Sequence, residues 1–155
     1  MAVERLVSFL NQNGTDFRTI RHDPAYSSLS SAKAAHISGR EMVKSVLLKA
    51  DGSYLLVVLP STEKIDFHRI KEITGSLSVS LADEEEVESI FPDCSPGAIP
   101  PLGNLYHMPV ITDSDVLEKK DLFFEAGSHR EIMRLHMNDF LKLTHPRIAT
   151  VHRDF

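Results

Sequence analysis

Two apolar runs joined by Asp51-Gly52 constrain this chain more than any other feature. Met42 to Lys49 and Tyr54 to Leu59 are β-type runs rich in valine and leucine. Asp-Gly between such runs specifies a tight hairpin, because both turn residues tolerate the positive φ that a two-residue connection demands. A half-solvated strand alternates apolar and polar residues, whereas most positions of both runs are apolar. The hairpin is therefore expected to be buried on both faces, with further layers packed against it.

The rest of the chain supplies those layers. Ala2 to Asn13 carries Val3, Leu6, Val7 and Leu10 on one helical face, and Asn13-Gly14 stops it. Asp16 to His22 reads as a short strand. The serines from Ser27 to Ser31 offer caps for a helix that ends near Gly39. Asp66 to Thr74 reads as a helix closed by Gly75, Leu77 to Leu81 as a strand, and Asp83 opens a helix with acids in its first turn, where the macrodipole favours them. Pro92 to Gly103 is a proline- and glycine-rich connection. Met108 to Thr112, Asp121 to Glu125 and Glu131 to Met137 are expected strands, and Asn138 is expected to cap a last helix, Asp139 to Thr144. Helices and strands mix without strict βαβ order. The fold class that follows is α/β in the α+β sense, not a doubly wound sheet.

A length of 155 residues suits one domain, 1–155, and suffices for a core without a metal or disulfide staple. One cysteine, Cys94, cannot bridge within the chain and suits a reducing compartment. No segment approaches the ~18 apolar residues of a membrane span, and Glu4 and Arg5 interrupt what would be a signal core. The expectation is a cytoplasmic protein with no membrane partner. Net charge is −5, split between +2 over residues 1–80 (10 basic, 8 acidic) and −7 over residues 81–155 (7 basic, 14 acidic). Proteins that track a long nucleic-acid backbone are basic, so a nucleic-acid partner here has to be gripped locally, by few residues.

The chain has no P-loop, dinucleotide fingerprint, His-Glu-x-x-His or Cys-x-x-Cys. Eight histidines are present, but no two are four residues apart, and no metal or other cofactor is expected. Nothing beside Cys94 in the sequence activates it as a nucleophile. Three local features stand out. Lys44 lies in an otherwise apolar strand, and either points to water or stands at the wall of a pocket. Gly97-Ala98-Ile99-Pro100-Pro101 is a stiff loop, either a plain connection or one whose N–H groups hold a carbonyl oxygen. Glu125-Ala126-Gly127-Ser128-His129 ends an apolar strand, as a solvated turn or as part of a site.

Taken in order, these pieces resemble the YbaK/ProX family of aminoacyl-tRNA deacylases, which is similar to the editing domain of bacterial prolyl-tRNA synthetases. The resemblance runs from about residue 3 to 150. It includes the early helix, His22-Asp23-Pro24 with its following serines, Lys44, the hairpin Leu47 to Pro60, the Gly97 to Pro101 loop as a Gly-x-x-x-Pro motif, Gly127-Ser128-His129, and Met137-Asn138-Asp139-Phe140. It implies a mixed, largely antiparallel sheet or partly closed barrel with flanking helices. It also implies an ester hydrolase acting on mischarged tRNA without a metal, the substrate's own ribose hydroxyl taking part. The family's lysine, which holds the phosphate-sugar region of the acceptor end, corresponds to Lys44. Its carbonyl-positioning loop corresponds to Gly97 and Ala98 with Ile99 and Pro101. Its histidine, which fixes the amino group or the attacking water, corresponds to His129, flanked by Gly127 and Ser128. Ser45 stands where alanine-clearing members carry asparagine, and the Gly-Arg-Arg-Gly-like run of cysteine-clearing members is missing. The resemblance implies a small amino acid: alanine, 2-aminobutyrate, serine or threonine. The expected partners are the aminoacylated acceptor end and a synthetase, with the protein a monomer or weak dimer. A non-catalytic tRNA- or synthetase-binding module is the alternative, and a small-molecule ester hydrolase a third reading.

Overall fold

The computed structural model describes residues 2–23, 25 and 27–154. The order is α1 (Ala2–Gln12), β1 (Phe17–Arg21), α2 (Ser28–Ala34), β2 (Val43–Ala50), β3 (Ser53–Pro60), α3 (Phe67–Thr74), β4 (Val79–Leu81), α4 (Glu84–Ile90), β5 (Val110–Asp113), β6 (Asp121–Glu125), β7 (Glu131–His136), α5 (Met137–Thr144) and β8 (Arg147–Ala149). Pro24 of the His22-Asp23-Pro24 motif lies outside the described residues.

The hairpin forms as the Asp-Gly pair dictates. Asp51 and Gly52 both have positive φ (47° and 84°), and β2 pairs with β3 from Val43↔Pro60 to Ala50↔Ser53. It is the centre of a five-stranded sheet, β4-β2-β3-β5-β8. Its two faces carry separate cores. Val43, Leu47, Leu56 and Val58 pack with Phe91, Phe124 and Phe140 on one side, and Leu48, Leu55, Val57 and Leu59 pack with Ile70, Ile111 and Val151 on the other. Burial on both faces, read from the unbroken apolar runs, holds best for β3.

β1, β7 and β6 form a second, antiparallel sheet, joined to the first by one bridge, Met42↔Phe123. Pairing is mainly antiparallel, with β3-β5 and β5-β8 parallel. The two sheets do not close into a barrel, because among the described residues that single bridge is the only ladder contact between them.

The ends of α3 and α4 follow local chemistry, whereas α2 stops at Ala34, short of the expected end near Gly39. Asp66 caps α3 by accepting from His68 N (3.0 Å) and Arg69 N, and Gly75 ends it in the left-handed region. Asp83 and Glu86 form a reciprocal capping box on α4. Asn138 does not cap the last helix. β7 runs directly into α5, so extended His136 is the cap residue and Asn138 lies in the first turn. Short 3-10 turns at Gly103–Tyr106 and Ser114–Glu118 fill stretches to which the sequence assigns no element.

The feature that creates a site is the shortness of β4. It pairs only with Leu48 to Ala50 of β2. The carbonyl of Leu47 still accepts from Ala82 N (3.1 Å), but from there back to Val43 that edge of β2 has no partner strand among the described residues.

Candidate active site

Along an antiparallel strand, N–H and C=O of alternate residues point to the same edge. Leu47 presents its carbonyl to the β4 side, so Ser45 and Val43 face the same way. Ser28 Oγ lies 3.4 Å from the Val43 carbonyl, leaving the Ser45 backbone as the rung with no partner among the described residues. Two cavities adjoin at this rung and share Ser45, Val46 and Gly97. One, of about 350 Å³, continues between Leu47, Val87, Cys94 and Ile99, with Glu84 and Glu88 among its lining residues. The other, of about 330 Å³, is lined by Ser27, Ser28, Lys44 and Ser61. The hydroxyls of Ser45 and Ser61 are buried without a hydrogen-bond partner among the described residues.

Lys44 is half-buried at the wall of the second cavity. No ion pair or hydrogen bond ties it to another described residue. Burial, and then the charge of Lys64, hold its pKa below that of an ordinary lysine, against the opposing pull of Glu63. An unpaired, partly desolvated ammonium is a ready partner for a phosphate.

Gly97 is exposed and lines both cavities, with φ of 77°. Its N–H donates to no other described residue. The rest of the loop is committed to the fold. Ala98 is fully buried, its N–H donates to the Ser95 carbonyl (3.0 Å), and its carbonyl accepts from Gly127 N (2.9 Å). Ile99 is buried and lines the larger cavity, and Pro101 is buried away from both.

The turn after β6 is the loop's support. Gly127 bonds to it twice, through Ala98 and through Ser95 N, which donates to the Gly127 carbonyl (2.8 Å). Gly127 has φ of 96°, and a Cβ there would stand 2.3 Å from Ala2 Cβ, so only glycine fits. Ser128 turns back on its own chain, accepting from Arg130 N (3.3 Å). His129 reaches under the loop. Its Nε2 is 2.6 Å from the Pro96 carbonyl oxygen and its Nδ1 is 2.7 Å from Glu125 Oε1, which also accepts from Ser31 Oγ. Both ring nitrogens are therefore engaged within the protein. Glu125 is 2 % exposed, and the sequence singles it out only as the first residue of the Glu125-to-His129 stretch, with no role of its own. The signal was the one that marked Lys44: a charge inside an apolar strand, here Leu122-Phe123-Phe124-Glu125-Ala126.

Cys94 also lines the larger cavity. Burial pushes its thiol up to about 11, which keeps it protonated near neutral pH. Asp113, Asp115 and His152 are the one set of potential metal ligands grouped among the described residues. The Asp113 oxygens are already occupied by Val151 N (2.7 Å), His152 N (3.2 Å) and Asp115 N (3.1 Å), and none of the three residues lines the cavities around β2.

The geometry can be set beside known proteins. The model of the aminoacyl-tRNA editing domain matches residues 22–143, well over half of the chain. The chain belongs to the aminoacyl-tRNA editing domain family. The matched segment of this editing domain contains Lys44, Gly97, Glu125 and His129. Among its relatives is the multifunctional Ser/Thr-tRNA deacylase ProXp-y of Escherichia coli (strain K12), 25% identical over 97% of this chain and 92% of that protein. An 87-residue stretch is 26% identical to the proline–tRNA ligase of Macrococcus caseolyticus, covering 56% of this chain and 15% of that enzyme. The fold is that of a trans-editing enzyme for prolyl-tRNA synthetase, with a TM-score of 0.87 at 19% identity, covering 99% of this chain and 98% of the other. No helix among the described residues is long and apolar enough to cross a membrane.

Proposed function

We propose that this editing-domain protein is a free-standing, cytoplasmic, single-domain deacylase that hydrolyses the ester of mischarged tRNA. The observation that carries the reading is the shared groove on the bare edge of β2. Unpaired Lys44 stands on one side of it and the uncommitted N–H of Gly97 on the other. Lys44 holds the phosphate-sugar region of the acceptor end. Gly97 N–H, beside the Ser45 backbone, receives the carbonyl oxygen of the ester as negative charge develops on it. Water adds to the carbonyl carbon, assisted by the substrate's ribose hydroxyl. The bond to the ribose oxygen then breaks, and free amino acid and deacylated tRNA leave. An aminoacyl ester is already activated, so positioning and one oxyanion donor suffice.

Such a sieve is needed because a synthetase pocket rejects a residue one methylene smaller by only ~1–3 kcal/mol. The substrates proposed are small amino acids, serine and threonine first, then alanine and 2-aminobutyrate. Support for that order comes from the named activity of the ProXp-y relative and from Ser45, whose unpartnered hydroxyl borders the groove. The local grip on an acceptor end also suits an acidic chain, acting as a monomer or weak dimer alone or beside a synthetase.

The test is a deacylation panel with tRNAs charged with each small amino acid. Release of serine or threonine from tRNA, much faster than from free aminoacyl esters, is the expected result. Tight binding of charged tRNA without hydrolysis would make the protein a binding module. Equal rates on free esters would make it a small-molecule esterase.

A further inference from the structure

The contacts behind the Gly97 loop form a continuous line. Glu125, at the end of β6, is buried, and the Ser31 hydroxyl donates to its Oε1. The same oxygen is 2.7 Å from His129 Nδ1, and His129 Nε2 is 2.6 Å from the Pro96 carbonyl oxygen. A carbonyl only accepts, so Nε2 carries a hydrogen. The short contact at Nδ1 needs a second proton between imidazole and carboxyl. The pair thus holds two protons and cannot act as a free base toward water without letting go of the loop.

What the pair does follows from the next bond. No described peptide is cis, so in the Pro96–Gly97 unit C=O and N–H lie in one plane and point in opposite directions. His129 fixes the carbonyl end of that plane. The amide end is Gly97 N–H, which points opposite to the carbonyl that His129 holds, and Gly97 lines both cavities. A hydrogen bond to a peptide carbonyl also polarises the peptide and strengthens its N–H as a donor. The ring packs close beneath, since a Cβ on Gly97 would sit 3.6 Å from His129 Nε2.

We infer that Glu125 is a positioning residue, acting through His129 and the Pro96–Gly97 peptide plane to aim and polarise the Gly97 N–H. The inference rests on the deacylase reading for its catalytic consequence, but the linkage itself exists without substrate. Glu125→Gln preserves shape and removes the charge and one shared proton.

The experiment pairs steady-state kinetics on the best tRNA of the panel with amide and imidazole nitrogen NMR of the free protein. In Glu125→Gln, turnover is expected to fall about ten-fold with KM nearly unchanged, short of the 10²–10³ lost with a whole oxyanion donor. The His129 Nδ1 proton signal should disappear and the Gly97 amide proton should move upfield. Unchanged turnover in a folded variant overturns the inference. So does lost turnover with the Gly97 amide unmoved, since that is the mark of a merely structural residue. If Glu125→Gln does not fold, Ser31→Ala weakens the same carboxylate and carries the same two readouts. If the wild type hydrolyses nothing, the deacylase reading fails, while the Gly97 shift still decides the linkage.

Discussion

Asp113 and Glu125 end neighbouring strands in the sequence, β5 and β6, and each holds a histidine Nδ1 on a buried carboxylate. The two pairs differ in everything else. Asp113 accepts three backbone N–H groups as well as His152 Nδ1 at 3.0 Å, and so ties the C-terminal segment to β5. Glu125 accepts only from side chains, and its Oε2 is buried with no partner among the described residues. A carboxylate surrounded by backbone donors is a clasp, because folding itself satisfies it. One left half-satisfied in a core costs stability, and its place behind His129 and the Gly97 loop fits a task other than stability.

Breaking the clasp should give the largest effect. Asp113→Ala leaves several buried donors unpaired at ~1–3 kcal/mol each, so a loss of about 3 kcal/mol or more is expected in urea unfolding. Deacylation measured well below the melting temperature should survive it. The opposite profile is expected at the loop that Glu125 supports. Gly97→Ala meets only ordinary contacts but must hold a positive φ. Turnover should fall at least ten-fold, about 1.4 kcal/mol, with circular dichroism unchanged. A wild-type rate in that variant removes Gly97 from the site.

Lys44→Met sharpens the contrast from the other wall of the groove. It deletes a half-buried cation that has no ion-pair or hydrogen-bond partner among the described residues, so Tm should hold or rise. tRNA binding should weaken, and the slope of log affinity against log salt should drop by about one. The smallest effect expected is a pH dependence. The hydrogen bond to Asp113 raises the His152 pKa above its ordinary value. The stabilisation is then complete below the unfolded pKa of ~6.5 and fades as pH rises through the raised folded value. The stability gap between wild type and His152→Asn, measured by urea titration, should therefore be widest at acid pH and narrow as pH rises. A gap that widens with pH would contradict the clasp.

The sequence yielded what is local. Asp51-Gly52, the Asp66 and Gly75 helix ends and the Gly97 loop each depend on residues within a few positions of one another. Lys44 stood out because a charge in an apolar strand has to be explained. What stayed hidden depends on long-range pairing. Asp113 meets His152, 39 residues further along the chain, only because β5 and β8 lie parallel. The bare edge of β2 exists because β4 is three residues long, and Leu77 to Leu81 looks like a longer strand in the sequence. Asn138 misled because a good capping residue says nothing when the preceding strand runs straight into the helix. His129 was visible as a polar residue after a strand. Its orientation toward the loop was not, since that depends on a carboxylate four positions back in an extended segment and a carbonyl 33 positions away.

The contact between Gly127 and Ala2 has a practical consequence. The first turn of α1 rests on the hinge that carries the loop, with no room for even a methyl group between them. Ala2 therefore sits against the turn that carries the loop, and an amino-terminal affinity tag would be attached next to a residue in contact with the machinery that an activity assay sets out to measure. Protein for the deacylation panel should carry its tag at the carboxyl end, or have it cleaved before the first rate is recorded.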